Sequence, residues 1–246
     1  MSNALHADQS VLANHEPETE TAAEKPRKRH ALSTRIWHWV NAVSVIILFM
    51  SGLNISNAHR YLYWGDYGFA PEDAWLEIMR FPGWATIPGY YSLAGARDWH
   101  VVFSLVLGFG LLAFMIAAFL NRHMQRDIFA SRREWKPSNI GKDIREHLKL
   151  NFDHGTGKYN ILQKISYAAV ILVMLPLIIL TGMVMSPGME AAWPFLTDVF
   201  GGRQSARSIH FIMAFGMFGF FLVHIALVLL AGPIHQIRDM ITGGRE

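Results

Sequence analysis

The chain has 246 residues, of which 52% are hydrophobic and 17% charged, with a formal net charge of +3. Cysteine is absent, which excludes disulfides, cysteine-ligated iron–sulfur clusters and covalent cofactor attachment through a C-x-x-C-H motif. The basic residues flank long apolar blocks, so the net charge indicates membrane topology and gives little support for nucleic-acid binding.

The first 32 residues are polar and charged, and they predict a disordered cytoplasmic tail. No apolar h-region lies among them, so a cleavable signal peptide is not expected. The basic end of this tail, which closes at Arg35, is typical of the cytoplasmic flank of a first membrane helix.

Four apolar blocks follow, and each exceeds the roughly 20 residues that a membrane-spanning helix needs. Period-2 alternation is absent, so a transmembrane barrel is not expected. The sequence predicts an all-α integral membrane protein, with a four-helix bundle over residues 33–240 and a tail over 241–246. The predicted helices cover about residues 36–57, 100–120, 165–187 and 208–234, and Pro176 predicts a bend in the third.

The connecting loops differ in charge, which predicts the orientation of the bundle. Residues 121–164 contain ten Lys or Arg and five Asp or Glu, whereas residues 58–98 contain three and five, and residues 187–207 two and two. By the positive-inside rule the first of these loops is cytoplasmic and the other two lie outside. Both termini are then cytoplasmic, and the membrane expected is the bacterial inner (cytoplasmic) membrane.

The outer loop between the first two helices is long and rich in aromatic residues, with ten between residues 61 and 91. Some of them suit an interfacial belt. The length of the loop favours a packed, structured cap, with a short helix from Pro71 to Arg80. We expect this cap to dock a partner on the outer face.

Four histidines lie inside the apolar segments, where an ionisable side chain is costly and usually serves a function. His210 and His224 are fourteen residues apart, a spacing that returns to nearly the same helix face about 21 Å further along. In the predicted orientation His100 and His210 lie at similar depth near the outside, and His38 and His224 lie at similar depth near the cytoplasm. The sequence therefore predicts these two pairs.

Two depth-matched imidazole pairs suggest two b-type haems, each with two histidine ligands and therefore suited to one-electron transfer. Any single one of these histidines could instead be a core residue, a proton relay or an ion ligand. Zinc is a poor alternative, because histidines at opposite depths cannot share one tetrahedral ion. Arg35, three residues before His38, could pair with a haem propionate or anchor the helix as a positive-inside residue.

The segment R-I-W-H-W at residues 35–39 resembles the first-helix haem motif of the di-haem cytochrome b subunits of nickel–iron hydrogenases and formate dehydrogenases. The same broad family includes thiosulfate reductase cytochromes. The string G-K-Y-N at residues 157–160, followed by Q-K at 163–164, is similar to the start of the third helix in formate dehydrogenase gamma subunits. Thr181-Gly182 and the His210/His224 spacing also match, and the resemblance covers about residues 33–240.

This resemblance implies two b haems, exchange of electrons with a membrane quinone on the cytoplasmic side, and a separate redox subunit docked outside. It places Asn160 in contact with the quinone beside the inner haem, with Lys158 as a weaker candidate, although Asn160 also suits a helix N-cap. The outer loop is longer and more aromatic than in the family. The partner is therefore left open between a hydrogenase, a formate dehydrogenase or other molybdopterin oxidoreductase, and a c-type cytochrome.

The leading hypothesis is a membrane-anchoring cytochrome subunit that carries electrons between the quinone pool and a periplasmic redox partner. The alternative is a haem-free transporter or anchor in which the histidines form a proton or metal path. Four helices are few for a transporter, and no inverted repeat is evident. A related alternative keeps the haems but makes the chain a self-contained quinol oxidase for a small acceptor such as superoxide.

Overall fold

A computed structural model of the protein describes residues 31–68, 70–120, 136–148 and 161–244. The predicted N-terminal tail lies outside these residues, apart from its last two positions. Lys158 and Asn160, which the family resemblance places at the quinone, also lie outside them.

Four long helices dominate the fold, as the hydropathy pattern predicts. Each is long enough and apolar enough to cross a membrane. Most of the apolar surface of each helix is exposed on the outside of the bundle, where lipid can cover it. The prediction of an all-α membrane bundle is confirmed. The four spans are Leu32–Ala58, Leu93–Leu120, Ile161–Met185 and Arg203–Leu230.

The spans form two helical hairpins that pack against each other. In the first hairpin α1 (Leu32–Ala58) packs against α2 (Leu93–Leu120), and in the second α5 (Leu175–Met185) packs against α8 (Arg203–Leu230). Burial of apolar side chains where the hairpins meet stabilises this arrangement. The buried residues of that core are Leu107, Leu111, Val170, Leu175 and Met217.

The third span changes its helical geometry just before Pro176. It begins as α4 (Ile161–Ala169), passes through a π-helical turn (Val170–Met174) and continues as α5. The Leu175 N–H donates to the Val170 carbonyl, and Pro176 has no N–H to donate. A single π turn inside an α-helix is the usual way to absorb such an interruption. The irregularity predicted at Pro176 therefore lies in the turn that precedes it.

Two spans have different ends from those that hydropathy predicts. α2 begins at Leu93 rather than near residue 100, because Ser92 Oγ accepts a hydrogen bond from the Gly95 N–H and starts the helix earlier. α8 ends at Leu230 rather than near residue 234, because Gly232 has a φ of 93° and Pro233 starts a new helix. Hydropathy alone does not register caps or breaks of this kind.

Two amphipathic helices lie outside the spans. α3 (Pro137–Leu148) contacts α4, and α9 (Pro233–Thr242) follows α8. On α9 the side chains of Ile234, Ile237 and Ile241 are exposed and spaced for one helix face. A short helix with one exposed apolar face suits the interface between membrane and water.

The connection between α1 and α2 contains a small hairpin where a helix over residues 71–80 is predicted. That prediction is wrong. Within residues 71–80 the helical part is a 3-10 turn at Pro71–Asp73, and a second such turn lies at Gly83–Ala85. β1 (Tyr61–Leu62) pairs antiparallel with β2 (Leu76–Glu77). The reason is period-2 burial, since Ile78 is buried whereas Glu77 is exposed. The Trp75 and Ile78 N–H groups also donate to carbonyls of the facing strand segment.

The hairpin is hydrogen-bonded to the start of α8. Ser208 Oγ donates to the Tyr63 carbonyl at 2.6 Å and accepts from Trp75 Nε1 at 2.9 Å. The Gly65 carbonyl accepts from the Gln204 and Ser205 N–H groups, which are free donors at a helix N-terminus. The connection is thus a fixed cap on one end of the bundle, together with α6 (Pro187–Ala192) and α7 (Phe195–Val199). We call this the loop end, and the end with the start of α1 and α9 the terminus end.

Candidate functional site

The four intramembrane histidines form two facing pairs. His100 on α2 and His210 on α8 have ring centroids 6.1 Å apart with planes inclined at 54°. His38 on α1 and His224 on α8 have centroids 6.2 Å apart with planes inclined at 59°. The structure brings together the same partners that sequence depth predicts.

α8 contributes one member of each pair because of its regular helical geometry. It is continuous between His210 and His224, and fourteen residues of α-helix rise about 21 Å while returning to nearly the same face. Phe215 and Phe218 lie between the two histidines, where Phe218 stacks with Phe49 of α1 and Phe215 contacts Phe49 edge to face. Two separate sites therefore lie along one helix, near opposite ends of the bundle.

The distance between the paired rings fits one iron atom bound by both imidazoles. A metal–nitrogen bond of about 2 Å, added to an imidazole radius of about 1 Å, places two opposed ring centroids roughly 6 Å apart. Both pairs have this separation. No group of three metal-ligating side chains occurs among the residues that the structure describes, so a tetrahedral ion has no full ligand set there.

Each histidine of the loop-end pair has a hydroxyl partner from the neighbouring helix. Ser51 Oγ of α1 lies 2.9 Å from His100 Nδ1, and Thr181 Oγ1 of α5 lies 3.1 Å from His210 Nδ1. Both hydroxyl residues are fully buried. Sequence reasoning noted Thr181 only as part of a family match and missed Ser51. The repeated Ser-Gly and Thr-Gly dipeptides are the signal that could have found both.

The hydroxyl contacts fix which ring nitrogen faces the other imidazole. Ser51 Oγ donates to the Leu48 carbonyl at 3.1 Å, and Thr181 Oγ1 donates to the Leu177 carbonyl at 2.5 Å. Each hydroxyl has one hydrogen, so towards its histidine it acts as acceptor, and Nδ1 carries the proton. Nε2 is then the free ligand atom, in the arrangement by which metal-binding histidines are usually oriented.

The glycines that follow these hydroxyl residues leave room for the rings. A Cβ added at Gly52 would lie 3.5 Å from His100 Cε1, and a Cβ added at Gly182 would lie 3.5 Å from His210 Cε1. These are ordinary van der Waals contacts, so a Cβ would fit at either position. A longer side chain would have to turn away from the imidazole.

The terminus-end pair has no comparable partners among the residues that the structure describes. Within them, His38 Nδ1 is buried without a hydrogen-bond partner, and so are Arg35 Nε, Asn41 Oδ1 and Ser44 Oγ on the same helix. A buried polar atom without a partner costs about 1–3 kcal/mol, so such atoms mark places where a further group is expected. Four such atoms along about two and a half turns of membrane helix fit a bound cofactor with polar substituents.

Arg35 lies one helical turn from His38, at the terminus end. Its Nη2 donates to the Ile241 carbonyl at the end of α9, and its Nε has no partner. This placement suits the predicted pairing with a propionate, and it also joins the start of α1 to α9. Lys158 and Asn160 lie outside the described residues, so their predicted contact with a quinone stays a prediction.

Comparison with known proteins identifies the family of this chain. A family model described as prokaryotic cytochrome b561 matches residues 29–243. A protein of Azospira oryzae, provisionally named protein-methionine-sulfoxide reductase subunit YedZ1, is 30% identical over 198 residues, which is 80% of this chain and 87% of that protein. No solved structure gives a significant match. The chain belongs to the prokaryotic cytochrome b561 family and is a membrane haem-binding electron-transfer subunit.

Proposed function

We propose that this chain binds two b haems, one at each histidine pair, and carries electrons from membrane quinol to a periplasmic catalytic subunit. The observation that carries the proposal is the pair of opposed imidazoles at 6.1 Å and 6.2 Å along one continuous helix. A haem held by two histidines would supply reversible one-electron chemistry.

The protein side chains hold and insulate the two sites. His100 and His210 are the ligands of the loop-end haem, with Nε2 directed by Ser51 and Thr181. His38 and His224 are the ligands of the terminus-end haem, with Arg35 at its propionate. Phe49, Phe215 and Phe218 fill the space between the sites and exclude water from it.

The orientation follows from loop charge and from the fixed cap. We place the loop end in the periplasm, where the connection tied to α8 offers a rigid surface with exposed aromatic side chains to a partner. The terminus end is then cytoplasmic, in the bacterial inner membrane. Quinol is oxidised there, with Asn160 and Lys158 as its proposed contacts.

The similarity to the Azospira oryzae protein favours a sulfoxide reductase as the partner over a hydrogenase or a formate dehydrogenase. Reduction of methionine sulfoxide to methionine takes two electrons and two protons and releases water. One quinol supplies two electrons in single steps through the haems, so the proposed direction is from quinol towards the loop end.

The test is reduction of the purified chain by a water-soluble quinol, followed by the haem α-band. We expect His100→Ala to keep one haem that quinol still reduces. His38→Ala should keep one haem that quinol reduces at least tenfold more slowly, because the haem next to the quinone is gone. The matched control is His235→Ala, since His235 is exposed on α9 and pairs only with Asp239.

Three results would contradict the proposal. Absence of haem from cells well supplied with it would favour the haem-free alternative. Equal rates of quinol reduction in His38→Ala and His100→Ala would remove the assignment of the quinone to the terminus end. Retention of both haems in either variant would contradict the assignment of these histidine pairs as haem ligands.

A further inference from the structure

An arginine precedes three of the four histidines by three residues. The pairs are Arg35 with His38, Arg97 with His100, and Arg207 with His210. Residues three apart lie on neighbouring positions of one helix face, about 4.5 Å apart along the axis. Each of these three histidines lies near the start of its helix, and its arginine lies about one turn nearer that start. Each arginine is therefore on the membrane-surface side of its histidine.

Two of these arginines come together with His59 at the loop end. Arg97 Nη2 donates to His59 Nε2 at 3.5 Å, at the end of α1. Burial lowers the pKa of His59, and the nearby charges of Arg207, Arg97 and Arg203 lower it further. His59 thus lies near the positive charges of all three arginines.

Among the described residues, one arginine of this cluster has a carboxylate partner and two do not. Arg203 has a carboxylate partner, Glu190 Oε2 at 2.8 Å. No carboxylate lies within ion-pair distance of Arg97 or Arg207 in the part of the chain that the structure describes. Among the described residues the half-buried Arg207 donates to the Gln204 side-chain amide oxygen at 3.0 Å, and Arg97 is exposed. Like charges held close together favour binding of an anion.

We propose that Arg97 and Arg207 form a carboxylate-binding site for the propionates of the haem held by His100 and His210. The proposal rests on the proposed function, since it requires a haem at that pair. The propionate edge of the haem then faces the loop end, one helical turn from the ligands. The same carboxylate chemistry could come from an acidic segment of a partner, and the experiment separates the two sources.

The experiment measures how fast haem leaves the protein for an excess of a haem-accepting apoprotein. It uses the full chain in detergent with His38→Ala, so that only the loop-end haem is present. Arg97→Gln and Arg207→Gln should each speed haem loss on the order of tenfold, as expected for one charge-assisted hydrogen bond. Arg60→Gln is the matched control, because Arg60 is paired with Glu77 elsewhere on the same connection and should leave the rate unchanged.

A second measurement uses haem dimethyl ester, in which the propionates carry no charge. In the chain with both arginines the ester should leave at least tenfold faster than haem. In the double variant Arg97→Gln/Arg207→Gln the two should leave at similar rates. If the ester leaves the unsubstituted cluster as slowly as haem does, the arginines act only on the fold, and the proposal is overturned.

A third measurement tests an acidic partner with poly-L-glutamate, titrated against the haem-loaded chain. If poly-L-glutamate binds the parent chain but not the double variant, and both lose haem at the same rate, the arginines bind an external carboxylate. That result would overturn the proposal. Unchanged haem loss without any binding would also overturn it. Absence of haem from the His38→Ala chain would instead contradict the proposed function.

Discussion

The two histidine pairs have nearly the same ring geometry but very different surroundings. At the loop end His100 and His210 each have a buried hydroxyl partner at Nδ1. At the terminus end His38 Nδ1 has no partner in the described part of the chain, and the same holds for three more buried polar atoms of α1. The described residues therefore order the loop-end site by themselves, whereas the terminus-end site needs further polar groups.

This difference separates two ways of building a cofactor site. Protein hydrogen bonds that hold a ligand before binding reduce the cost of ordering it when the cofactor arrives. Unpaired buried polar atoms instead destabilise the empty protein and are satisfied on binding. We expect a site of the first kind to tune the redox potential of its haem. We expect the stability of a site of the second kind to depend on the bound haem.

The largest effect is expected from filling the space beside the loop-end rings. Gly52→Leu and Gly182→Leu should each remove one of two haems, because a leucine extends beyond a Cβ that already contacts the His100 or His210 ring at 3.5 Å and displaces that ring. Haem per polypeptide, from the pyridine haemochrome spectrum, measures the loss. Gly219→Leu is the control, since a Cβ at Gly219 meets nothing within 4 Å. Two haems per polypeptide in Gly182→Leu would show that haem binding does not need the His210 ring in its observed position.

The contrast between the two sites can be tested with one substitution at two positions of α1. Ser51 and Ser44 are both buried, but only Ser51 has partners. In the haem-free chain Ser51→Ala should lower the free energy of unfolding by about 1–3 kcal/mol, whereas Ser44→Ala should leave it unchanged or raise it. Apparent melting temperatures in detergent measure both. Equal losses of stability in the two variants would contradict the distinction between the loop-end and terminus-end sites.

A smaller effect is expected on the midpoint potential of the loop-end haem. The hydrogen bond from Nδ1 to a hydroxyl makes the imidazole a stronger donor to iron and favours the oxidised state. Thr181→Ala should therefore raise this potential by roughly tens of mV, equivalent to a hydrogen bond of about 1 kcal/mol. Thr181→Ser keeps the hydroxyl and should restore the original value. The terminus-end haem serves as the internal reference in the same redox titration.

The smallest effect is a pH dependence at His59. Burial and three arginines lower the pKa of His59 below its usual value of 6.5, so the unfolded chain binds this proton more readily than the folded one. Stability of the haem-free chain should be unaffected above pH 6.5 and should fall as the pH drops below it. His59→Gln should lack this component of acid sensitivity. If the parent chain and His59→Gln show the same change in melting temperature from pH 7 to pH 5, the assignment of this acid sensitivity to His59 is contradicted.

Much of this architecture could be predicted from the sequence because it follows from patterns of length and spacing. Four apolar blocks predict the four spans, and the fourteen-residue interval predicts that His210 and His224 share a face of α8. The hairpin at β1 and β2 was missed, because a short segment with few apolar residues does not distinguish a helix from alternating burial.

The partners of the histidines depend on contacts that sequence spacing does not encode. Ser51 reaches His100 across the hairpin of α1 and α2, and Thr181 reaches His210 from α5. Neither contact follows from an interval within one helix. The R-x-x-H intervals at Arg97 and Arg207 were available in the sequence, but their convergence on His59 required the packing of three helices.

The most direct test of the account is the number of haems per polypeptide in the purified chain and in two single variants. The account predicts about two haems for the natural sequence and one each for His38→Ala and His100→Ala. One haem in the natural chain, or loss of both haems from either variant that still folds with a melting temperature like that of the parent, would contradict two independent sites.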